Sequence, residues 1–221
     1  MRICVYGAAS PTIDKKYIEL VEKMGQEMAN RGHSLVFGGG GNGLMGAAAR
    51  GVKSGGGYIL GVIPKFFDEE KVEAICDFCD ELIQPDTMRQ RKQLMEDNAD
   101  AFIIVPGGIG TYEEFFEILT LKQLCRHNKP IALYNIMGYY DDINYAMEQA
   151  MKKNFIRDND YNVIYHDLNS LINEISMFPT RNSEEKFIYY VEGISHTNCY
   201  LMNLVIYNCD ILIEIYKSYK K

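Results

Sequence analysis

Short apolar segments alternate with amphipathic segments from the start of the chain to about residue 177. The apolar segments predict strands at Ile3–Tyr6, Ser34–Phe37, Tyr58–Ile63, Glu81–Gln84, Ala101–Val105, Pro130–Tyr134 and Asn162–Tyr165. The segments between them predict helices at Tyr17–Ala29, Leu44–Val52, Met88–Asn98, Thr111–His127, Tyr139–Lys153 and Leu168–Met177. Strands joined through helices pair in parallel by right-handed crossovers. We therefore predict an α/β fold: a Rossmann-like, doubly wound, mostly parallel sheet with helices on both faces.

The alternation predicts one domain over residues 1–178. Residues 179–221 mix Tyr, Ile, Asn and Cys without clean periodicity, and we treat them as a C-terminal extension of uncertain structure. A helix docked on a neighbour, a swapped arm and a poorly ordered tail are all compatible with this segment.

Composition narrows the classes of partner. The formal net charge of the 221 residues is -7, which argues against a broad surface for nucleic acid or an anionic membrane. We find no signal peptide and no apolar run long enough to span a membrane, so we expect a cytoplasmic protein.

Six cysteines are present, and two of them have metal-ligand spacing. Cys76 and Cys79 flank two residues, but a closed zinc site normally needs a second pair, so we favour a surface or half-buried pair of thiols. We expect Cys4 and Cys125 to be small buried side chains, because both fall in apolar patterns. No cofactor is predicted.

A first glycine loop follows the second predicted strand, at residues 38–43, and is continued by Leu44, Met45 and Gly46. Residues 41–46 match the G-x-G-x-x-G pattern, but the loop does not follow the first strand and no carboxylate ends the next one, so NAD binding is disfavoured. Binding of a phosphate or ribose at the helix N-terminus is favoured. Glycines needed only for close packing of helix and strand remain the alternative.

A second glycine loop, residues 106–114, reads Pro-Gly-Gly-Ile-Gly-Thr-Tyr-Glu-Glu directly behind a buried strand. Thr111 and Glu114 have the spacing of a capping box, which is one explanation for them. Helix periodicity instead places Glu114 on the side of Ile118, Leu121 and Cys125, whereas Glu113 aligns with Glu117 on a solvated stripe. A partly shielded carboxylate beside a glycine loop suits acid–base chemistry or stabilisation of a cation.

The helix preceding this loop opens with Met88-Arg89-Gln90-Arg91-Lys92, and Asp86 or Thr87 is its expected cap. Three cations so near a helix N-terminus oppose the macrodipole, a cost that a bound anion would offset. Arg91 and Lys92 share a face with residues of buried type, and Arg89 points elsewhere. A solvated basic face is the alternative.

Together these blocks resemble the LOG family, the cytokinin-activating phosphoribohydrolases often called lysine decarboxylases. The glycines and Leu-Met-Gly of residues 38–46, the Met-Arg-Gln-Arg-Lys of residues 88–92 and the PGGxGTxxE signature of residues 106–114 carry the resemblance, which runs from Ile3 to about Met177. One departure is the loop after the first strand, where family members commonly have several serines and this chain has Ser10 alone.

The resemblance implies hydrolysis of the N-glycosidic bond of a nucleoside 5′-monophosphate, AMP or an N6-modified AMP, to free base and ribose 5-phosphate. It also implies a homodimer and a catalytic pair of Arg91 and Glu114. The residues it implies for substrate binding are Gly39, Gly40, Met45, Met88, Lys92, Gly107, Gly108, Ile109, Gly110, Thr111, Glu113 and Thr120. The alternative is a carrier on the same fold that holds a nucleotide or pterin-type cofactor without hydrolysing it, and a pyridoxal-phosphate decarboxylase is a third reading.

Overall fold

The computed structural model describes residues 1–71, 73–157, 164–165 and 167–176. Within these ranges seven strands form one sheet in which every neighbouring pair is parallel. The strands are β1 (Arg2–Tyr6), β2 (Ser34–Phe37), β3 (Ile59–Val62), β4 (Glu81–Ile83), β5 (Ala101–Ile104), β6 (Ile131–Tyr134) and β7 (Ile164–Tyr165). They are ordered β4-β3-β2-β1-β5-β6-β7 across the sheet.

The helices cover the sheet from both sides, as the alternation predicted. They are α1 (Lys15–Asn30), α2 (Gly43–Ser54), α3 (Lys65–Glu69), α4 (Met88–Asn98), α5 (Ile109–Gln123), α6 (Asp141–Lys152) and α7 (Leu168–Ser176), with a 3₁₀ turn at Ile136–Gly138. Apolar residues of α1, α2 and α7 form one core with the sheet, and those of α4 and α5 form a second core on the opposite face. The predicted fold class is therefore confirmed.

The strand order reverses at β1. The chain builds outward from β1 to β4 and then returns to place β5 on the other side of β1. In open parallel sheets the crevice outside the carboxyl ends of the strands at such a reversal is the usual ligand site. Here the two segments that leave these strands are tied together, because the Ala8 N–H donates to the Pro106 carbonyl at 3.1 Å.

Most predicted bounds differ from those of the structure by two residues or fewer, but one helix end and one cysteine depart further from the sequence predictions. The helix predicted over Thr111–His127 ends at Gln123, and Cys125 follows it with a φ of +55°. This left-handed residue turns the chain off the helix, so its side chain leaves the apolar face and is exposed. The prediction of a buried Cys125 is wrong, whereas Cys4 is buried.

The short helix α3 was not predicted, because five residues are too few to display a helical period. The predicted extension, residues 179–221, lies outside the described residues, so the division of the chain at residue 178 stays a prediction. No helix in the part of the chain that the structure describes is long and apolar enough to cross a membrane.

Helices α1 and α2 approach each other through glycines. A Cβ placed on Gly25 would lie 2.3 Å from the Ala48 carbonyl oxygen, and one on Gly51 would lie 1.9 Å from the Glu22 carbonyl oxygen. Both distances are far below van der Waals contact, and the obstructing atoms are backbone. The two helices can therefore lie this close only because Gly25 and Gly51 have no side chains.

We expect Gly25→Ala to lower the free energy of unfolding by about 1–3 kcal/mol, because α1 and α2 must separate to admit the methyl group. Urea denaturation followed by circular dichroism measures this loss. Gly110→Ala is the matched control, since a Cβ at that helical glycine meets no atom within 4 Å. Equal stability of the two variants would contradict the packing described here.

Candidate active site

Arg91 is the buried cation at the carboxyl edge of the sheet. Thr87 and Gln90 form a capping box that fixes the start of α4, which settles the cap in favour of Thr87 over Asp86. Arg91 lies one turn farther along α4, beneath the glycine loops, and is only 6% exposed. Its Nε donates to the Val62 carbonyl at 3.1 Å and its Nη2 to the Gly38 carbonyl at 3.5 Å. The guanidinium group thus joins α4 to the ends of β2 and β3.

Glu114 faces this arginine from α5. Arg91 Nη1 donates to Glu114 Oε1 at 3.3 Å, and only 11% of the glutamate side chain is exposed. Burial raises the pKa of Glu114 to about 7, although the charge of Arg91 opposes the rise. The predicted pair is therefore brought together, and its carboxyl group changes protonation state near neutral pH.

The N-cap residue of α5 is a glycine, which has no side chain with which to close the helix. Its N-cap is Gly108, which makes no side-chain capping bond, and Thr111 is already the third residue of the helix. Glu114 is the sixth residue of α5, past its first turn, and pairs with Arg91 instead of closing a capping box. The leading N–H groups of an uncapped helix remain available to an anion. Gly108, Ile109 and Gly110, all predicted to bind substrate, are exposed at this end.

Lys92 lies beside the buried pair and is held by two other carboxylates of α5. Its Nζ lies 2.5 Å from Glu113 Oε1 and 2.7 Å from Glu117 Oε2. Burial lowers the pKa of Lys92, but these two ion pairs more than offset it and leave the pKa raised. The Glu113 and Glu117 side chains are 54% and 37% exposed, so the predicted solvated stripe is confirmed, and both carboxylates also pair with Lys92.

The first glycine loop leaves space for the side chain of Arg91, because its glycines have no Cβ atoms. A Cβ on Gly38 would lie 1.9 Å from Arg91 Nη2, and Gly39 has a φ of +78°, which side chains rarely adopt. At Gly40 a Cβ would lie 1.4 Å from Glu73 Oε1. Close approach of charged side chains therefore accounts for two of these glycines. Met45 is buried below the same loop.

Three further residues are predicted to contact substrate, and they lie at different distances from Arg91 and Glu114. Gly107 is buried against Thr111, since a Cβ there would lie 2.1 Å from the threonine Oγ1. Met88, 41% exposed, begins α4. Thr120 is exposed and lies six residues beyond Glu114, about 9 Å along the helix axis. Contact of these residues with substrate stays a prediction.

Two adjacent tyrosines, which sequence reasoning missed, support the second glycine loop. The Tyr139 hydroxyl donates to the Gly107 carbonyl at 2.6 Å, and the buried Tyr140 hydroxyl donates to the Val105 carbonyl at 2.7 Å. They follow β6 in the loop that leads to α6, so they reach the glycine loop from a distant part of the sequence. No local motif signals such a role.

The neighbouring Cys79 thiol lowers the pKa of Cys76 to about 7. Both are free thiols, with Cys76 buried and Cys79 half-buried. Within the described ranges, no group of three or more His, Cys, Asp or Glu side chains is arranged to hold a metal ion.

These features define a Rossmann-like α/β protein with a polar site at the point where its strand order reverses. A sequence profile of the family described as "Possible lysine decarboxylase" matches residues 45–174. A cytokinin riboside 5′-monophosphate phosphoribohydrolase of Mycobacterium tuberculosis is 41% identical over 71% of this chain and 88% of its own length. The chain therefore belongs to the LOG family of phosphoribohydrolases, as the motifs predicted.

Two plant relatives carry the same activity in their names. A probable cytokinin riboside 5′-monophosphate phosphoribohydrolase of rice is 39% identical over 70% of this chain, and the match spans 62% of the rice protein. An Arabidopsis thaliana enzyme of that name is 37% identical over 70% of this chain and 72% of its own length.

Solved structures agree on the fold. The molybdenum cofactor carrier protein of Chlamydomonas reinhardtii aligns with a TM-score of 0.61 at 21% identity, over 79% of this chain and 95% of that protein. A molybdenum cofactor binding protein of Rippkaea orientalis aligns with a TM-score of 0.57 at 23% identity, over 79% of this chain and 93% of that protein. At these identities the likeness concerns the fold alone.

We expect Tyr140→Phe to lower the free energy of unfolding by about 1–3 kcal/mol, because it leaves the buried Val105 carbonyl without its hydroxyl donor. Equilibrium urea denaturation measures the change. Tyr145→Phe, at a tyrosine that is 64% exposed, is the matched control and should leave stability unchanged. Equal effects of the two variants would show that the hydroxyl of Tyr140 does not support the loop.

Proposed function

We propose that the chain hydrolyses the N-glycosidic bond of a nucleoside 5′-monophosphate, AMP or an N6-modified, cytokinin-type AMP, to free base and ribose 5-phosphate. The observation that carries the proposal is the buried Glu114 carboxyl group, held by Arg91 beside an uncapped helix N-terminus. The names of the relatives support the same reaction. A homodimer is part of the proposal on the strength of the family resemblance, and the cytoplasmic location stays an expectation from the sequence.

The exposed N-terminus of α5 supplies the phosphate site in this proposal. The N–H groups of Gly108, Ile109 and Gly110 precede the first helical hydrogen bonds, and the helix dipole adds partial positive charge there. Lys92 is engaged with Glu113 and Glu117, so backbone groups carry most of the interaction with the 5′-phosphate. A phosphate held there leaves the ribose within the reach of Glu114, which lies one turn farther along the helix.

Glu114 acts in the bond-breaking step. As the C1′–N9 bond lengthens, positive charge develops on C1′ and the ring oxygen, and a nearby carboxylate stabilises it. The same carboxylate accepts a proton from the water that attacks C1′. The base departs with the bonding electrons and takes up a proton from solvent, and Glu114 then releases its proton to solvent, so that net addition of one water is complete. Arg91 holds the carboxylate in place and favours its ionised form, because its charge lowers the pKa of Glu114.

The first test is release of free base and ribose 5-phosphate from AMP and from N6-isopentenyl-AMP. We expect both products in equal amounts from the wild-type protein. Glu114→Gln should lower kcat by about 10²- to 10⁴-fold, because the amide can neither stabilise the cationic sugar nor accept the proton. The variant should still bind AMP in a calorimetric titration.

Glu19→Gln is the matched control, since it makes the same change at an exposed carboxylate of α1 and leaves the buried pair intact. It should leave kcat unchanged. Tight nucleotide binding without product from the wild type would favour the carrier alternative. Full activity of Glu114→Gln would remove Glu114 from the reaction.

The rate should depend on the ionisation of Glu114. Its pKa is raised to about 7 by burial, and the ionised form is the active one, so kcat should fall about tenfold per pH unit below pH 7 and level off above it. Initial rates between pH 5 and 9 at saturating AMP measure this dependence of kcat on pH. The substrate phosphate titrates near pH 6, and saturation removes the effect of that titration on binding. Thermal unfolding at each pH is the control for stability. A flat profile from pH 5 to 8 would exclude this role.

A further inference from the structure

The free thiols of Cys76 and Cys79 are brought together by a turn whose two central residues are Asp77 and Phe78. The first and last residues of such a turn have Cα atoms less than about 7 Å apart, a distance at which a disulfide can form. Cys76 is buried and Cys79 is half-buried, so a small reagent can reach the pair at Cys79. The turn thus places the two thiols for bonding to each other.

One of these two sulfurs ionises more readily than an ordinary thiol. The Cys79 thiol lowers the pKa of Cys76 to about 7, and Cys76 in turn raises the pKa of Cys79. The pair therefore loses its first proton near neutral pH, and the thiolate is the form that attacks a disulfide. A metal site fits the pair less well, because among the described residues no third His, Cys, Asp or Glu joins these thiols to hold an ion.

The segment that leads into the turn is hydrogen-bonded to the first glycine loop. The Cys76 N–H donates to the Gly39 carbonyl at 2.8 Å, and the Gly41 N–H donates to the Ala74 carbonyl at 2.7 Å. Gly39 directly follows the residue whose carbonyl accepts from Arg91. A displacement of Cys76 is therefore passed to the loop that contacts the buried arginine.

The segment that leaves the turn is held by β3. The Asp80 N–H donates to the Ile59 carbonyl at 3.0 Å, and Asp80 Oδ2 accepts from the Ile59 N–H at 2.8 Å. Cys79 lies against the same strand, because a Cβ on Gly61 would lie 3.0 Å from its Sγ. Since the sheet holds the Cys79 end, formation of a disulfide displaces the Cys76 end.

We propose that Cys76 and Cys79 form a thiol–disulfide switch that acts on the first glycine loop. The inference goes beyond the proposed hydrolysis, because the disulfide forms without substrate. In the oxidation, one thiolate attacks a low-molecular-weight disulfide, R–S–S–R, and releases R–S⁻. The second thiol then loses its proton and displaces the other R–S⁻, so two protein thiols are oxidised and two R–SH are formed. The disulfide weakens the hydrogen bond from Cys76 to Gly39, and the site then binds its nucleotide less tightly.

Thiol titration and peptide mapping test the formation of the disulfide. After incubation with oxidised glutathione, we expect the wild-type protein to lose the free thiols of this pair and to yield a peptide in which Cys76 is bonded to Cys79. Dithiothreitol should restore both thiols. Mapping is needed because the chain has six cysteines. Disulfides among the other cysteines alone, or glutathione attached to Cys79 without the internal bond, would overturn the assignment.

Binding and turnover of AMP by the reduced and oxidised forms test the effect on the site. Oxidation should weaken AMP binding in a calorimetric titration by about 3- to 10-fold, the effect of one lost hydrogen bond, and should lower kcat/KM by a similar factor. Cys79→Ser should show neither change, and Cys76→Ser is the second variant if Cys79→Ser does not fold. Cys125→Ser is the matched control, because it removes an exposed thiol and should respond as the wild type does.

Failure of the switch and failure of the proposed hydrolysis give different results. If AMP yields no product in either state, yet oxidation weakens AMP binding in the wild type and not in Cys79→Ser, the switch stands and hydrolysis fails. If the mapped disulfide forms while hydrolysis and AMP affinity are the same in both states, the pair is not a switch. An equal response of Cys79→Ser and the wild type would assign the effect to another cysteine and overturn the proposal.

Discussion

The buried guanidinium of Arg91 is the interaction on which the site depends. Its N–H groups donate to carbonyls at the ends of β2 and β3 and to the carboxyl group of Glu114. Removing one partner of a buried ion pair costs about 3–5 kcal/mol, because the other charge is left uncompensated in a medium of low polarity. One side chain therefore links two strands and two helices at the carboxyl edge of the sheet.

Charge balance around this arginine explains how the site can attract an anion without being basic. Arg91 and Lys92 contact three carboxyl groups, Glu113, Glu114 and Glu117, so the cluster carries no excess of side-chain cations. In the proposed function, the attraction for a phosphate comes from the N-terminus of α5, where backbone dipoles supply the positive potential. This local source agrees with a chain whose formal net charge is -7.

Much of the fold and part of the site follow from local sequence signals. Periodicity placed the strand at Ser34–Phe37 and the helix at Met88–Asn98 with the bounds that the structure has. It also placed Glu114, and not Glu113, on the buried face of its helix. The pairing of Arg91 with Glu114 needed the family resemblance as well, because 23 residues separate them and no period links two helices.

Other parts of the site depend on contacts that no local pattern records. Tyr139 and Tyr140 reach the second glycine loop from beyond β6, and their hydroxyls are visible as supports only when the strands are assembled. Glu73 follows a helix too short to display a period and is defined by its contact with Gly40, 33 positions earlier. Long-range placement of side chains is therefore what the sequence left open.

The burial of Glu114 also helps to distinguish an enzyme that hydrolyses its ligand from a carrier that only binds it. A carrier of an anionic nucleotide gains from the uncapped helix and the glycine loops, but a buried carboxyl group beside the sugar gives it no affinity. Burial of Glu114 is unfavourable for the ionised group, as its raised pKa records, and Arg91 offsets only part of that cost. A carboxylate kept at this cost is most useful when positive charge appears next to it, and cleavage of a glycosidic bond creates that charge on the ribose.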